Sequence, residues 1–165
     1  MSIFFNADEI FQMGLRIETN GKEFYATVAQ NSSDPAMQKF FSDLSRWESE
    51  HIHYFDRLRQ ALPDSAKRGA SFDLGEELLL YLQASADSHV FLRNKDIQKL
   101  ASQCKTPLEA LELAIAFEKD SVVFYTTMKK VTPEEFGKKE IGLLIDEEVG
   151  HIALLHQKKK ELEKR

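Results

Sequence analysis

Cysteine is almost missing from this chain. Cys104 is the only one in 165 residues, which excludes an intrachain disulfide and any Cys-x-x-Cys zinc or rubredoxin-type iron site. A lone thiol suits a reducing compartment, so a cytoplasmic protein is expected. Proline (4) and glycine (7) are scarce, which permits long uninterrupted helices. No stretch approaches the roughly 20 apolar residues that a membrane span requires. Residues 1–9 have neither a basic start nor a long enough apolar run for a signal peptide. There is no excess of positive charge either. A net charge of -5 and a pI near 5.6 remove the basic face that nucleic acid calls for. Sustained period-two alternation is also missing, so no sheet is expected.

What is present is ordinary in bulk and specific in pattern. A hydrophobic fraction of 42% with 30% charged residues fits one globular domain, long enough to bury a core without disulfides. Helix-start chemistry punctuates the sequence. Asn6 with Glu9 reads as a capping box, and apolar residues then recur at Ile10, Met13, Ile17, Phe24 and Val28. The spacing predicts a first helix over about 7–30. Asp34-Pro35 opens a second over about 35–62, which Pro63 ends. Thr106-Pro107-Leu108-Glu109 opens a third over about 107–131. Thr132-Pro133-Glu134-Glu135 reads as the same device, opening a fourth over about 133–163, whose lysine-rich end suits the negative pole of the helix dipole.

Residues 63–105 differ. A polar loop leads to a capping box at Asp73–Glu76 and a shorter helix through about His89, and 94–103 reads as one more helical piece. Four long helices with two short turns and one long connection describe an all-α, antiparallel four-helix bundle with one crossover that carries an extra short helix. A helix of about 25 residues is about 38 Å long, a span that 40-odd connecting residues can cover.

The strongest signal is an internal repeat. Glu18-Thr19-Asn20-Gly21-Lys22-Glu23-Phe24-Tyr25 in the first helix matches Glu118-Lys119-Asp120-Ser121-Val122-Val123-Phe124-Tyr125 in the third. Leu44 and Glu48-Ser49-Glu50-His51-Ile52 in the second match Leu144 and Glu148-Val149-Gly150-His151-Ile152 in the fourth. Every pair is offset by 100 (118 − 18 = 148 − 48 = 151 − 51). Residues i and i+3 share a helix face, so Glu48 projects with His51 and Glu148 with His151. Their apolar neighbours turn these groups inward. Small residues one turn from each lone glutamate (Gly14 and Gly21, Ala114 and Ser121) leave room for an ion and its exogenous ligands.

Four carboxylates in a dry core repel one another and lose hydration worth several kcal/mol each. Two divalent cations cancel the four charges, and two imidazoles complete the shell. Mixed carboxylate and imidazole ligation suits Fe(II) or Mn(II) and lacks the thiolates that a structural zinc site favours. One Glu-x-x-His is a weak motif. Glu50-x-x-His53 also fits it and is expected to face solvent. Two copies in register, each after a Glu-(six residues)-Tyr helix, are far harder to read as surface decoration. Tyr25 and Tyr125 sit two turns from Glu18 and Glu118, from where a hydroxyl can reach a ligand carboxylate. Glu147 is a candidate acceptor for the N–H of a ligating histidine, a role Trp47 at the matching position does not share. His89 and His156 read as surface or loop residues, and Cys104 as a thiol near a helix end.

The set Glu18, Glu48-x-x-His51, Glu118, Glu148-x-x-His151 resembles the ferritin-like di-iron carboxylate superfamily, and most resembles its rubrerythrin branch. The resemblance covers the four long helices and none of 63–105. It implies two iron ions (with Mn or Zn as substitutes), each with terminal Glu and His and two bridging Glu, reducing hydrogen peroxide or reacting with dioxygen. The rubredoxin domain that full-length rubrerythrins carry, with its two Cys-x-x-Cys pairs, is absent from this sequence, so electrons are expected from an external rubredoxin-type protein. Rubrerythrins also commonly place a further Glu one turn after the third-helix ligand, where Ser121 stands here. The symmetric six-ligand form is shared with bacterioferritins, manganese catalases and some di-iron hydroxylases. Alternatives are therefore a ferroxidase or iron-handling protein and a hydroxylase of an organic substrate. Ferritin-type cages add a fifth short helix, whereas 14 residues follow His151 here (165 − 151). A homodimer is expected rather than a cage, with neither nucleic acid nor membrane as partner.

Overall fold

In the computed structural model, residues 6–67, 77, 80, 81, 84, 89 and 96–164 are described. The helices run in the order α1 (Ala7–Asn31), α2 (Pro35–Ala61), α3 (Asp64–Lys67), α4 (Ile97–Gln103), α5 (Pro107–Val131), a 3-10 turn (Glu134–Phe136) and α6 (Lys138–Glu163). Among the described residues there is no strand. The predicted capping box at 73–76 lies outside them. Of the short helix expected after it, Glu77, Leu80, Tyr81 and Ala84 are helical. No described helix is long and apolar enough to cross a membrane.

Local chemistry sets most of the helix starts. The Asn6 side chain accepts from Glu9 N at 2.8 Å while Glu9 Oε2 accepts from Asn6 N at 2.9 Å, a complete capping box. Asp34 caps Ala36 N at 2.8 Å with Pro35 at the first position of α2, and Thr106 accepts from Glu109 N at 3.2 Å with Pro107 at the first position of α5. The fourth start is a correction. Thr132 caps nothing ahead of it: its buried hydroxyl donates back to Met128 O at 2.7 Å and ends α5. The chain then makes the 3-10 turn, reverses through Gly137 at φ 96°, and begins α6 at Lys138 rather than at Pro133. Leu58 explains that glycine from outside, since a Cβ there would sit 2.5 Å from its Cδ2.

Paired residues give the direction of each helix. Asp8 meets Arg59 and Gly14 meets Phe55, so α1 and α2 are antiparallel. Lys129 lies over Gly142 and Glu112 meets Lys159, so α5 and α6 are antiparallel as well. Tyr25 reaches Glu118 while Tyr125 reaches Glu18, which sets α1 against α5, and Trp47 with His151 and His51 with Glu147 set α2 against α6. The bundle is thus two helical hairpins related by the 100-residue repeat. Its core divides into two apolar halves. One gathers Phe24, Phe41, Leu44, Leu111, Phe117 and Leu155 with Ile97 and Ala101 of α4; the other gathers Ile10, Phe11, Ile17, Phe55, Phe124, Met128, Ile141 and Leu144. The glutamates and histidines of the repeat occupy the layer between them.

Candidate metal centre

All six side chains singled out by the repeat converge in that layer. Glu18, Glu48, Glu118 and Glu148 are each 1% exposed, and His51 and His151 are 4% and 8% exposed. They form two overlapping groups able to hold a cation. Glu18, Glu48, His51 and Glu148 make one; Glu48, Glu118, Glu148 and His151 make the other. Within each group one ligand atom per residue lies within 4.8 Å of all the rest. Glu48 and Glu148 belong to both groups, whereas Glu18 with His51 and Glu118 with His151 flank them.

The geometry follows from helix periodicity and from what is small nearby. His51 Nδ1 lies 3.2 Å from Glu18, 3.2 Å from Glu148 and 3.9 Å from Glu48. His151 Nδ1 lies 3.0 Å from Glu148 and 3.8 Å from Glu118. Both rings therefore turn the same nitrogen to the carboxylates, and they stack on each other with centroids 5.5 Å apart. Gly21 makes room for this: a Cβ there would stand 3.3 Å from Glu48 Oε2 and 3.1 Å from the Phe117 ring. Tyr25 and Tyr125 are fully buried. Tyr25 donates to Glu118 Oε1 at 2.5 Å and Tyr125 donates to Glu18 Oε1. Each tyrosine thus serves the glutamate of the other half. Two turns along its own helix put it about 10 Å from its own glutamate, while the antiparallel crossing of α1 and α5 brings the other within reach.

Burial dominates the electrostatics. It raises the Glu48, Glu118 and Glu148 carboxyls above their ordinary range, reinforced by the charges of Glu18 on Glu48 and Glu148, and of Glu148 on Glu118. Glu18 goes the other way. Burial pushes it up, but its hydrogen bonds with Glu48, His51 and Tyr125 hold it below its ordinary value. Burial alone would lower His51, yet hydrogen bonds to Glu148 and Glu18 raise it to about 12. Burial keeps His151 lowered. Burial, with the neighbouring Glu118 and Glu18 charges, keeps both tyrosine hydroxyls protonated, as donors must be. Without a cation the layer thus favours the protonated forms of Glu48, Glu118, Glu148 and His51.

One atom speaks directly for a cation. Glu48 Oε1 is buried with no hydrogen-bond partner, a state that costs roughly 1–3 kcal/mol. It belongs to a carboxylate shared by both groups. Four carboxylates and two imidazoles, with no thiolate among them, are a donor set for borderline-hard divalent ions. The residues present fit a pair of such ions.

Two neighbours add to the site. Glu147 Oε2 lies 2.9 Å from His51 Nε2, where a ligand histidine wants an acceptor, and Trp47 lies flat on His151, centroids 5.3 Å apart at 12°. His89, read from the sequence as a surface or loop residue, is completely buried. Its Nε2 is 3.2 Å from Ser121 Oγ, and its ring meets Phe124 edge-on. Ser121 spends its own proton on Phe117 O at 3.1 Å, so His89 is the donor of the pair. Burial lowers His89 to about 4. No periodic pattern around His89 signals this; only the tertiary fold brings it to Ser121. Glu50, His53 and His156 face solvent as expected, and Cys104 is half-buried at the end of α4.

The fold is ferritin-like. A solved structure assigned as a ferritin-like diiron-carboxylate protein from Thermotoga maritima is similar to this chain, with a TM-score of 0.68 and 23% sequence identity over 98% of this chain and 99% of that one. No family model matches the sequence, and no curated protein matches it.

Proposed function

We propose that this protein is a non-haem di-iron oxidoreductase that reduces hydrogen peroxide, with electrons from an external donor such as a rubredoxin-type protein. The observation that carries it is the pair of overlapping ligand groups sharing Glu48 and Glu148. Glu18 and His51 would hold one iron and Glu118 and His151 the other, with Glu48 and Glu148 available to both. Bound iron would supply the two electrons that, with two protons, convert one peroxide to two waters. The chain's own residues do the rest. Tyr125 and Tyr25 hold the outer oxygens of Glu18 and Glu118 by donated protons, which fixes the terminal carboxylates. The apolar halves above and below the layer exclude water from it. A homodimer is the assembly proposed.

Anaerobic loading with Fe(II), followed by rapid mixing with peroxide and separately with dioxygen, tests the proposal. Fast oxidation by peroxide and slow oxidation by dioxygen is expected. The reverse order would overturn peroxide reduction and point to a ferroxidase or a hydroxylase.

A further inference from the structure

The 100-residue repeat makes the two halves of the centre match in all six ligands but not in the residue just ahead of each Glu-x-x-His. That place is Glu147 in α6 and Trp47 in α2. Because α2 and α6 cross antiparallel, each of these residues faces the histidine of the other helix. Glu147 sets a carboxylate oxygen 2.9 Å from His51 Nε2. Trp47 sets an indole face against His151. The difference is chemical. A carboxylate accepts the distal N–H, fixes the tautomer with Nδ1 toward the carboxylates, and makes the imidazole a better electron donor. An indole has one N–H donor and no acceptor, so its face can pack against the ring but cannot hold its proton. Among the described residues, none accepts a hydrogen bond from His151 Nε2. Glu147 thus sets a carboxyl group beside one side of the pair, and Trp47 sets none beside the other.

Resting on the di-metal reading above, we propose that the two positions are inequivalent and fill in order: the one held by Glu18 and His51 first and more tightly, the one held by Glu118 and His151 second. Glu147 is the positioning residue that creates the difference. Removing such an outer partner weakens metal binding about ten- to a hundredfold, which sets the scale for the gap between the two steps.

Cobalt(II) titration of the metal-free protein, followed by visible absorption and calorimetry, reads both steps. The wild-type chain should bind two equivalents in steps at least about tenfold apart. Glu147→Gln should weaken the first step by about tenfold or more and bring the steps together. Trp47→Glu, which restores the missing carboxylate, should tighten the second step. His151→Ala should keep a single tight site, and His51→Ala a single weak one. A purely structural role for Glu147 would move the unfolding midpoint and leave the separation of the steps intact. Two equal steps in the wild-type chain, unchanged steps in Glu147→Gln, or the opposite order in the histidine variants would overturn the proposal. A wild-type stoichiometry other than two would instead overturn the di-metal reading itself.

Discussion

Glu48 differs from the other three glutamates in having one buried oxygen without a partner, and from Glu18 and Glu118 in belonging to both ligand groups. Its loss and theirs should therefore differ in kind. Glu118→Ala should lose about one metal equivalent per chain, because only the second group contains it, whereas Glu48→Ala should weaken both; metal analysis after equilibrium dialysis separates the two outcomes. Equal losses would contradict the bridging assignment. The tyrosines make a further prediction. Tyr125→Phe deletes the donor to Glu18 Oε1 and leaves a fully buried carboxylate short of a partner. Urea unfolding of the metal-free variant should show a loss of about 1–3 kcal/mol, and an unchanged midpoint would argue against that hydrogen bond.

At the scale of helices and turns, two glycines should respond in opposite directions to alanine. Gly137 sits at φ 96° with Leu58 against the place its Cβ would take, so Gly137→Ala should destabilise by about 1–3 kcal/mol. Gly150 is exposed within α6 with nothing near it, so Gly150→Ala should stabilise by about 0.5–1 kcal/mol. Thermal melts of both variants decide it. The contrast marks what the sequence could and could not disclose. Capping chemistry is written in neighbouring residues, so the starts of α1, α2 and α5 were legible from Asn6, Asp34 and Thr106. Thr132 carries the same local signature, yet its hydroxyl turned back to Met128, a choice made by burial at the hairpin and invisible along the chain. The buried cluster of glutamates and histidines was legible because the repeat prints it twice at a constant offset. The partners of Tyr25 and Tyr125 were not, since the crossing of α1 with α5 selects them. The burial of His89 against Ser121 likewise depends on tertiary packing alone.

Over the whole molecule, a layer of acids and imidazoles between two apolar halves links stability to protons and to cations. The carboxyls of Glu48, Glu118 and Glu148 are raised from an ordinary value of 4.5, and His51 from 6.5 to about 12. A raised group stabilises the fold fully below its unfolded value and loses that contribution as pH climbs through the folded one. Glu18, His151 and His89 are lowered and act in the opposite sense, but only up to the ordinary values of 4.5 for Glu18 and 6.5 for the histidines. Above pH 6.5 the unfolding midpoint of the metal-free protein should therefore fall. Metal displaces those protons, so the loaded protein should release protons on binding and should not show that decline. Calorimetric scans of both forms across neutral pH check this. The most direct test of the central claim is an anomalous-scattering map from crystals grown with Fe(II) under anaerobic conditions. Two peaks are predicted, both touching Glu48 and Glu148, one also touching Glu18 and His51 and the other Glu118 and His151. An empty layer, or iron found elsewhere on the chain, would contradict it.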